Sequence, residues 1–440
     1  MNKYQNSINL KVLILAGMAF VFIIPLVMIA SLIEERSLAR NLATEEMSDK
    51  WAKSQTILGP MIEIPYNIRI PKPDAIAKKD KWDYVTHYAY FLPEELSFDT
   101  DLKTELRKRS IYEVPLYRAR MQIQGKFPII RDDSFPKETT YIYYENARLI
   151  VSFSDAKGLG NEIQLSVNGK KNSVNPGTHS QLFPNGFHTS YSVESLEVES
   201  KFQINFDLLG SSLIEFVPIG KITKAKMTAD WKDPSFRGNQ LPKDRNISEE
   251  GFTAIWESNY YARSFPQTFS SMDFDQTMVS SSSFGVELIQ AVDYYHKLDR
   301  ATKYGILIIV ISFALFFLFE VFGKVSLHPI QYILIGSAMI VFYTLTLSLS
   351  EHIGFLLAYS IASVITSLLI AYYTISILKG KKQGIIVGIY YLLLYLFIYI
   401  ILSSEEYALL LGSFALFLVL AATMHLTRKI DWYDYNRLEH

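Results

Sequence analysis

Cysteine is absent from all 440 residues. That excludes thiol catalysis, disulfide staples and thiolate-ligated metal, so any globular part must be held by its own core. Net charge is also lacking: 43 Lys and Arg against 44 Asp and Glu leave −1, which removes the electrostatic case for a nucleic-acid partner. Motifs that carry chemistry are missing too. The eight histidines are His87, His179, His188, His296, His328, His352, His425 and His440, and none stands in an H-E-x-x-H spacing. No G-x-S-x-G occurs and no phosphate-cradling glycine loop is evident. His179 and His188 come nearest to a metal pair, and their Gly/Pro/Asn-rich surroundings read as a solvated loop. The expectation is no catalytic residue, no metal and no cofactor.

What is present is an uneven distribution of apolar residues. They make up 49% of the chain, yet residues 34–302 read as a soluble protein and 303–427 are nearly all apolar. The first apolar run, Val12 to Ile33, spans about 22 residues, enough to cross a hydrocarbon core of roughly 30 Å. It follows Lys3 and Lys11, is long for a cleaved signal and has no A-x-A site after it, so it reads as an uncleaved signal anchor. Pro25 predicts a kink within it. Five further runs lie near 304–323, 331–349, 354–376, 384–402 and 407–426. Lys324, Lys379, Lys381, Lys382, Arg428 and Lys429 fall on one side of a six-helix count, together with the N-terminus. Glu351, Glu405 and Glu406 fall on the other, so the charge rule places both termini in the cytoplasm and 34–302 outside. Gly384 with Gly388, and Ala358 with Ala362, are small-residue pairs suited to close helix packing within the block.

The outer part opens with helical spacing at Ile33, Leu38, Leu42, Met47 and Trp51, an amphipathic stalk over 34–55 that Gly59-Pro60 is expected to end. Period-two alternation follows over 61–66, 112–117 and 121–127. Further strand-like runs are Ala147–Phe153, Ile163–Val167, Tyr191–Phe206, Leu213–Ile219, Lys224–Asp230, Gly251–Ser258 and Phe284–Val292. So many short strands argue for antiparallel sheets in a sandwich with an aromatic core. Residues 72–81 and 266–283 read as polar loops, the serine run 280–283 as a mobile one. The fold class is thus a membrane protein of six transmembrane helices, one plus five, with a large extracytoplasmic β-rich domain after the first. Its parts are 1–33 (tip and anchor), 34–302 (outer domain), 303–427 (five helices) and 428–440 (cytoplasmic tail).

Particular residues make the chain resemble a known family. Trp51, Gln55, Gly59, Pro60, Pro65 and Tyr66 open the match, and the run Arg109 to Tyr117 continues it. Ser154 to Leu159, Phe216 to Lys221, and Phe284 to Leu288 follow. The most distinctive stretch is Asp230 to Gly238 with Leu241-Pro242 and Gly251-Phe252. Val292, Asp293, Tyr295 and Arg300 to Tyr304 lead into the membrane block, where Leu347 to Phe355, Ala408 to Ser413 and Thr427-Arg428 complete it. On these motifs the chain resembles the CreD family of inner-membrane proteins over nearly its whole length. Ala229 and Asp233 depart from the serine and histidine expected around the tryptophan motif. The resemblance implies a bacterial inner-membrane protein of cell-envelope integrity, linked to a two-component stress response and to colicin and β-lactam tolerance. It brings no catalytic mechanism with it.

Three groups of residues are candidates for function. Asp230, Trp231, Asp233, Pro234, Ser235, Phe236 and Arg237 combine polar groups and aromatics in a loop-like stretch suited to a glycan or protein partner, or else pinned into the sheet core. Ser348, Ser350, Glu351 and His352 form a polar cluster at the outer end of the third membrane helix, against the outer domain or around a small polar pocket. Glu320 is a charge at membrane depth, expected to snorkel or to pair with Lys324 four residues on. The reading is of a non-enzymatic recognition or scaffold module tied to a lipid bilayer and to an envelope protein or glycan. The alternatives are a transporter or flippase, and a hydrolase or transferase acting on envelope glycan or lipid.

Overall fold

The computed structural model describes residues 5–71, 82–272, 274, 276–289, 294–323, 326–404 and 407–428. Lys3, Lys324, Glu405, Glu406, Lys429, Val292, Asp293 and the expected loop 72–81 lie outside them. The chain divides into two compact units, Met1–Asn41 with Val292–His440, and Leu42–Ala291.

The apolar unit begins with α1 (Gln5–Val21) and α2 (Ile23–Lys50), interrupted at Phe22. Pro25 accounts for the interruption, because it has no N–H to offer the Val21 carbonyl four residues back. The two form one run, Leu10–Lys50, that is long and apolar enough to cross a membrane. The helix ends at Lys50, well before the expected Gly59-Pro60, and Leu38 and Leu42 on its predicted apolar face are exposed.

The second unit is β-rich. In chain order its strands are β1 (Gln55–Pro71), β2 (Trp82–Phe91), β3 (Glu95–Arg109), β4 (Tyr112–Phe127), β5 (Thr139–Ile142), β6 (Arg148–Phe153), β7 (Leu159–Val167), β8 (Lys170–Asn172) and β9 (Asn175–Pro176). There follow β10 (Gly186–Ser190), the short helix α3 (Val193–Leu196), β11 (Ser200–Ser211), β12 (Leu213–Phe216), β13 (Ile222–Ala229), β14 (Pro234–Gly238), β15 (Asp244–Ser248), β16 (Gly251–Asn259), β17 (Thr268–Ser270), α4 (Gln276–Ser280) and β18 (Phe284–Leu288). One sheet runs β14-β18-β12-β1-β6-β10-β9, with β2 and β5 also paired to β1 and β17 to β2; the other runs β15-β16-β13-β3-β4-β11-β7-β8.

The sheets pack face to face through rings: Phe98 on Phe216 at 4.8 Å, Phe153 on Phe206 at 5.4 Å and Trp256 on Phe284 at 5.5 Å between centroids. This is the expected aromatic sandwich core. Two of the strand pairs, β1 with β12 and β3 with β13, are parallel. The cause is a sheet change: β11 ends in one sheet at Ser211, Ser212 turns with φ 60°, and β12 starts in the other at Leu213. That corner lays β12 alongside β1 in the same direction.

Several expectations shift in detail. Gly59-Pro60 lies inside β1, as a cis peptide at the register shift between Leu58 and Met61, where a proline without an N–H costs the ladder nothing. The expected strand 191–206 breaks at α3, which Ser192 caps by accepting from the Ser195 N–H. The 266–283 loop holds β17 and α4, and in its serine run Ser282 is buried with its Oγ donating to the Met278 carbonyl at 2.9 Å.

The rest of the apolar unit is α5 (Tyr294–Lys303), amphipathic, then α6 (Gly305–Gly323), α7 (Pro329–Ile353), α8 (Phe355–Leu378), α9 (Lys381–Ser403) and α10 (Ala408–Thr427). With the first run, the described residues contain six helices long and apolar enough to cross a membrane, and the β-rich unit stands in sequence between the first and the other five. Gly354 makes the break between α7 and α8 at φ 78°, a conformation that costs a side-chain-bearing residue strain. Gly384 and Gly388 are close-packing sites as expected: a Cβ on Gly384 would meet Ile375 at 2.2 Å and one on Gly388 would meet Ala371 at 2.9 Å. Rings fill the interior between α7, α8 and α9, with Phe342 at 4.3 Å from Tyr395 and 5.3 Å from Tyr359.

Candidate functional site

Within the apolar unit, polar groups gather at the two ends of one seam on the first helix. Leu15, Ala19, Phe22, Leu26, Ile29 and Ile33 are buried, at alternating intervals of four and three, the period of a helix-packing seam. Lys11 precedes Leu15 by four, Arg36 follows Ile33 by three and Arg40 follows by four more, so cations stand at both ends. At about 1.5 Å per residue Lys11 and Arg36 are roughly 37 Å apart, a little more than the ~30 Å hydrocarbon core.

At the Arg36 end the partner is Glu351, in the last turn of α7, with its side chain only 6% exposed. Arg36 donates from Nε at 2.7 Å to one carboxylate oxygen and from Nη2 at 2.5 Å to the other, the fork geometry that suits guanidinium to carboxylate. Tyr295 of α5 donates its hydroxyl to Glu351 at 3.0 Å, and the Arg40 guanidinium lies 5.3 Å over the Tyr295 ring. Burial first, then the Tyr294 hydroxyl and the Glu351 carboxylate, hold the Tyr295 phenol far above its ordinary range, so it stays a donor. The expected four-residue cluster separates. A helix turns about 100° per residue, which sends Ser348 and His352 to an exposed face while Ser350 is buried and donates to the Thr346 carbonyl at 2.5 Å. Of the four, Glu351 joins the Arg36–Tyr295 group.

At the other end Glu320 of α6, 12% exposed, is paired with Lys11. Lys11 also donates to the Leu327 carbonyl at 3.0 Å, and Tyr332 of α7 donates its hydroxyl to Glu320 at 3.1 Å. The expected partner, Lys324, lies outside the described residues. The turn before α7 is fixed by a capping box: the His328 ring accepts from the Ile330 N–H, and the Gln331 side chain accepts from the His328 N–H at 3.0 Å.

The 230–238 segment is largely a strand rather than a loop. Residues 234–238 form β14, an edge strand paired with β18. Asp230 accepts from the Thr104 N–H at 2.8 Å and hydroxyl at 2.9 Å. Trp231, half-buried, donates Nε1 to the carbonyls of Asp233 and Ile289 at 3.2 and 3.1 Å. Phe236 packs edge-on against Phe252 and Trp256, each at 5.9 Å, and Arg237 pairs with Glu287. Gly238 ends the segment at φ 96°, where a Cβ would stand 2.1 Å from the Ser283 carbonyl. Asp233, Pro234 and Ser235 are partly exposed, and Arg237 is exposed. Trp231→Ala is expected to destabilise the β-rich unit by about 2 kcal/mol, below the cost of a fully buried ring, read from the loss of near-ultraviolet ellipticity on heating. A change under 0.5 kcal/mol would mean that Trp231 is not a structural pin.

The rings of His179 and His188 lie 4.7 Å apart, with His188 Nδ1 at 2.6 Å from the Gly177 carbonyl. Among the described residues no three His, Asp or Glu converge as metal ligands. Arg36, Tyr295 and Lys11 are the contributors that a motif search misses. Their signal is the four-three seam with a cation at each end.

The family model described as "Inner membrane protein CreD" matches residues 7–433. A curated relative from Escherichia coli (strain K12), "Inner membrane protein CreD", is 31% identical over 429 residues, covering 97% of this chain and 94% of the relative.

Proposed function

The chain belongs to the CreD family of inner-membrane proteins, and from that premise we propose that it is a non-enzymatic multi-pass protein of cell-envelope integrity whose β-rich domain is a periplasmic recognition or scaffold module. The envelope-stress, colicin and β-lactam setting implied by the family is part of this proposal. The observation that carries it is the pairing of a folded β-rich unit with charge placement. Lys11, Lys379, Lys381, Lys382 and Arg428 all fall on one side of the six-helix count, opposite that unit. Both termini are then cytoplasmic. The packed rings between α7, α8 and α9 favour an anchoring bundle over a transport path, for which a polar cavity among these helices would be the supporting feature.

The lack of cysteine makes the test direct. Asn246→Cys, on an exposed strand of the β-rich unit, is expected to react with a membrane-impermeant maleimide once the outer membrane is permeabilised. Lys382→Cys is expected to react only after the inner membrane is opened. The reverse pattern would overturn the topology. A photo-crosslinker in place of the exposed Lys232 tests the module itself. A reproducible protein partner supports scaffolding, whereas recovery of glycan or lipid alone with turnover of that material favours the hydrolase or transferase reading.

A further inference from the structure

Strand β1 is covered on both faces over most of its length, and an ion pair lies at its middle. Glu63 is fully buried and in register with Tyr90 on β2 and Arg148 on β6, so the three side chains share one face of the sheet. Arg148 Nη2 donates to one Glu63 oxygen at 2.6 Å. The other Glu63 oxygen and Arg148 Nε are both buried without a hydrogen-bond partner. Burial first, then the Glu63 carboxylate, push the Tyr90 phenol far above its ordinary range. A half-satisfied buried pair is a poor stabiliser, since an apolar pair of similar volume is often neutral or better. Core packing therefore does not account for it.

What the pair does account for is a fixed guanidinium at a surface hollow. Arg148 is 22% exposed and lines a hollow of about 460 Å³ together with Tyr88, Tyr143, Asn146, Glu145 and Ser190. The Tyr143 wall is set in advance. Its hydroxyl accepts from Asn67 Nδ2 at 2.8 Å, Asn67 Oδ1 accepts from the Thr86 hydroxyl at 2.8 Å, and the Tyr143 N–H donates to the Pro65 carbonyl at 2.9 Å. A preset wall lowers the ordering cost of binding.

The charges define the ligand. Glu63 neutralises Arg148 from below, and Glu145 is exposed beside it, so the hollow has no surplus positive charge to hold an anion. It offers a guanidinium, an amide and hydroxyls between two tyrosines, the combination that meets sugar hydroxyls on one side and sugar C–H faces on the other. The volume lies within the range of small-molecule sites. We propose that this hollow binds a neutral saccharide of one or two rings. The inference rests on the recognition-module reading and gives that module a ligand class and a site.

The test uses the full chain in nanodiscs with N,N′-diacetylchitobiose and maltose as neutral probes and sialyllactose as the anionic one, read by saturation-transfer NMR and titration. Transfer to at least one neutral probe is expected, with weaker or no transfer to sialyllactose. Tyr143→Ala and Asn146→Ala are expected to weaken binding at least 10-fold. Glu63→Leu with Arg148→Met, which keeps the core filled, is expected to abolish binding while the melting temperature holds or rises. No transfer to either neutral probe, preference for the anionic one, or undiminished binding by the double variant would overturn the site. A protein captured by the Lys232 crosslinker alongside such a failure would leave the recognition module standing and remove only its saccharide.

Discussion

Gly336→Val is expected to push the first helix out of its groove. A Cβ placed on Gly336 of α7 would lie 2.5 Å from the Phe22 ring, inside any van der Waals contact. Gly305 of α6 makes a second notch, where a Cβ would meet Leu26 at 2.5 Å. Phe22 also packs edge-on against Phe313 at 6.0 Å, and Phe313 against Tyr332 at 5.5 Å, so the ring sits within a packed stack. Overfilling such a site costs about 1–3 kcal/mol, because neighbours must leave their rotamers. Small residues matter here for a further reason: between apolar helices in lipid, close contact supplies the association that the hydrophobic effect supplies in water. The measurement is melting in detergent, with Ala19→Cys as a reporter on the buried seam. A lipid-soluble maleimide is expected to label Ala19→Cys faster in the Gly336→Val background. Phe22→Ala, by vacating the notch, is expected to restore slow labelling. Equal labelling with and without Gly336→Val would mean that the notch does not seat the helix.

The seam shows why some of this architecture can be read from sequence and some cannot. The five later apolar runs fall within a few residues of their helices because about 20 apolar residues have few other uses, whereas the first helix continues past its apolar run to Lys50. The alternation at 61–66 marks β1 correctly, but its full extent of 55–71 is set by pairing with the next strand β2 and with β5, β6 and β12, which are remote in sequence. Gly59-Pro60 reads locally as a stop and is tolerated inside β1 because it falls at a register shift. Leu38 and Leu42 have helical spacing with Ile33, yet Arg36 and Arg40 take the inward face because Glu351 and Tyr295 are there to receive them. Glu320 is recognisable as a charge needing a partner, but local reasoning looks four residues away, and Lys11 is 309 residues distant. The grouping of Ser348 with His352 is legible from helical period alone; that Glu351 belongs to a different face with an arginine from the far end of the chain is not. The 230–238 stretch has the composition of a loop, and it becomes strand because β18 supplies its ladder.

Arg36→Ala is expected to have the largest effect in the apolar unit, by leaving Glu351 charged and nearly buried. The Arg36 fork satisfies both carboxylate oxygens, and after its removal Glu351 keeps the Tyr295 hydroxyl as a donor. Removing one partner of a buried pair costs about 3–5 kcal/mol, and Arg36 is two-fifths exposed, which places the expectation at the lower figure. Arg36→Lys restores charge without the fork, so only part of the loss is recovered. Glu351→Gln should cost less than Arg36→Ala, because a neutral amide is cheaper to bury than a carboxylate. Combining the two should then recover stability relative to Arg36→Ala alone, since the stranded charge is gone. That sign of coupling separates an ion pair from mere packing: lost packing would add, whereas a stranded charge is relieved. The same cycle on Lys11 and Glu320 tests the opposite end, where Tyr332 stands in the place of Tyr295. If Arg36→Ala melts within 0.5 kcal/mol of the parent chain, the arginine is a surface ion pair and nothing more. If both cycles show relief, the first helix is held at each end by a glutamate from the C-terminal helices, α6 at one end and α7 at the other.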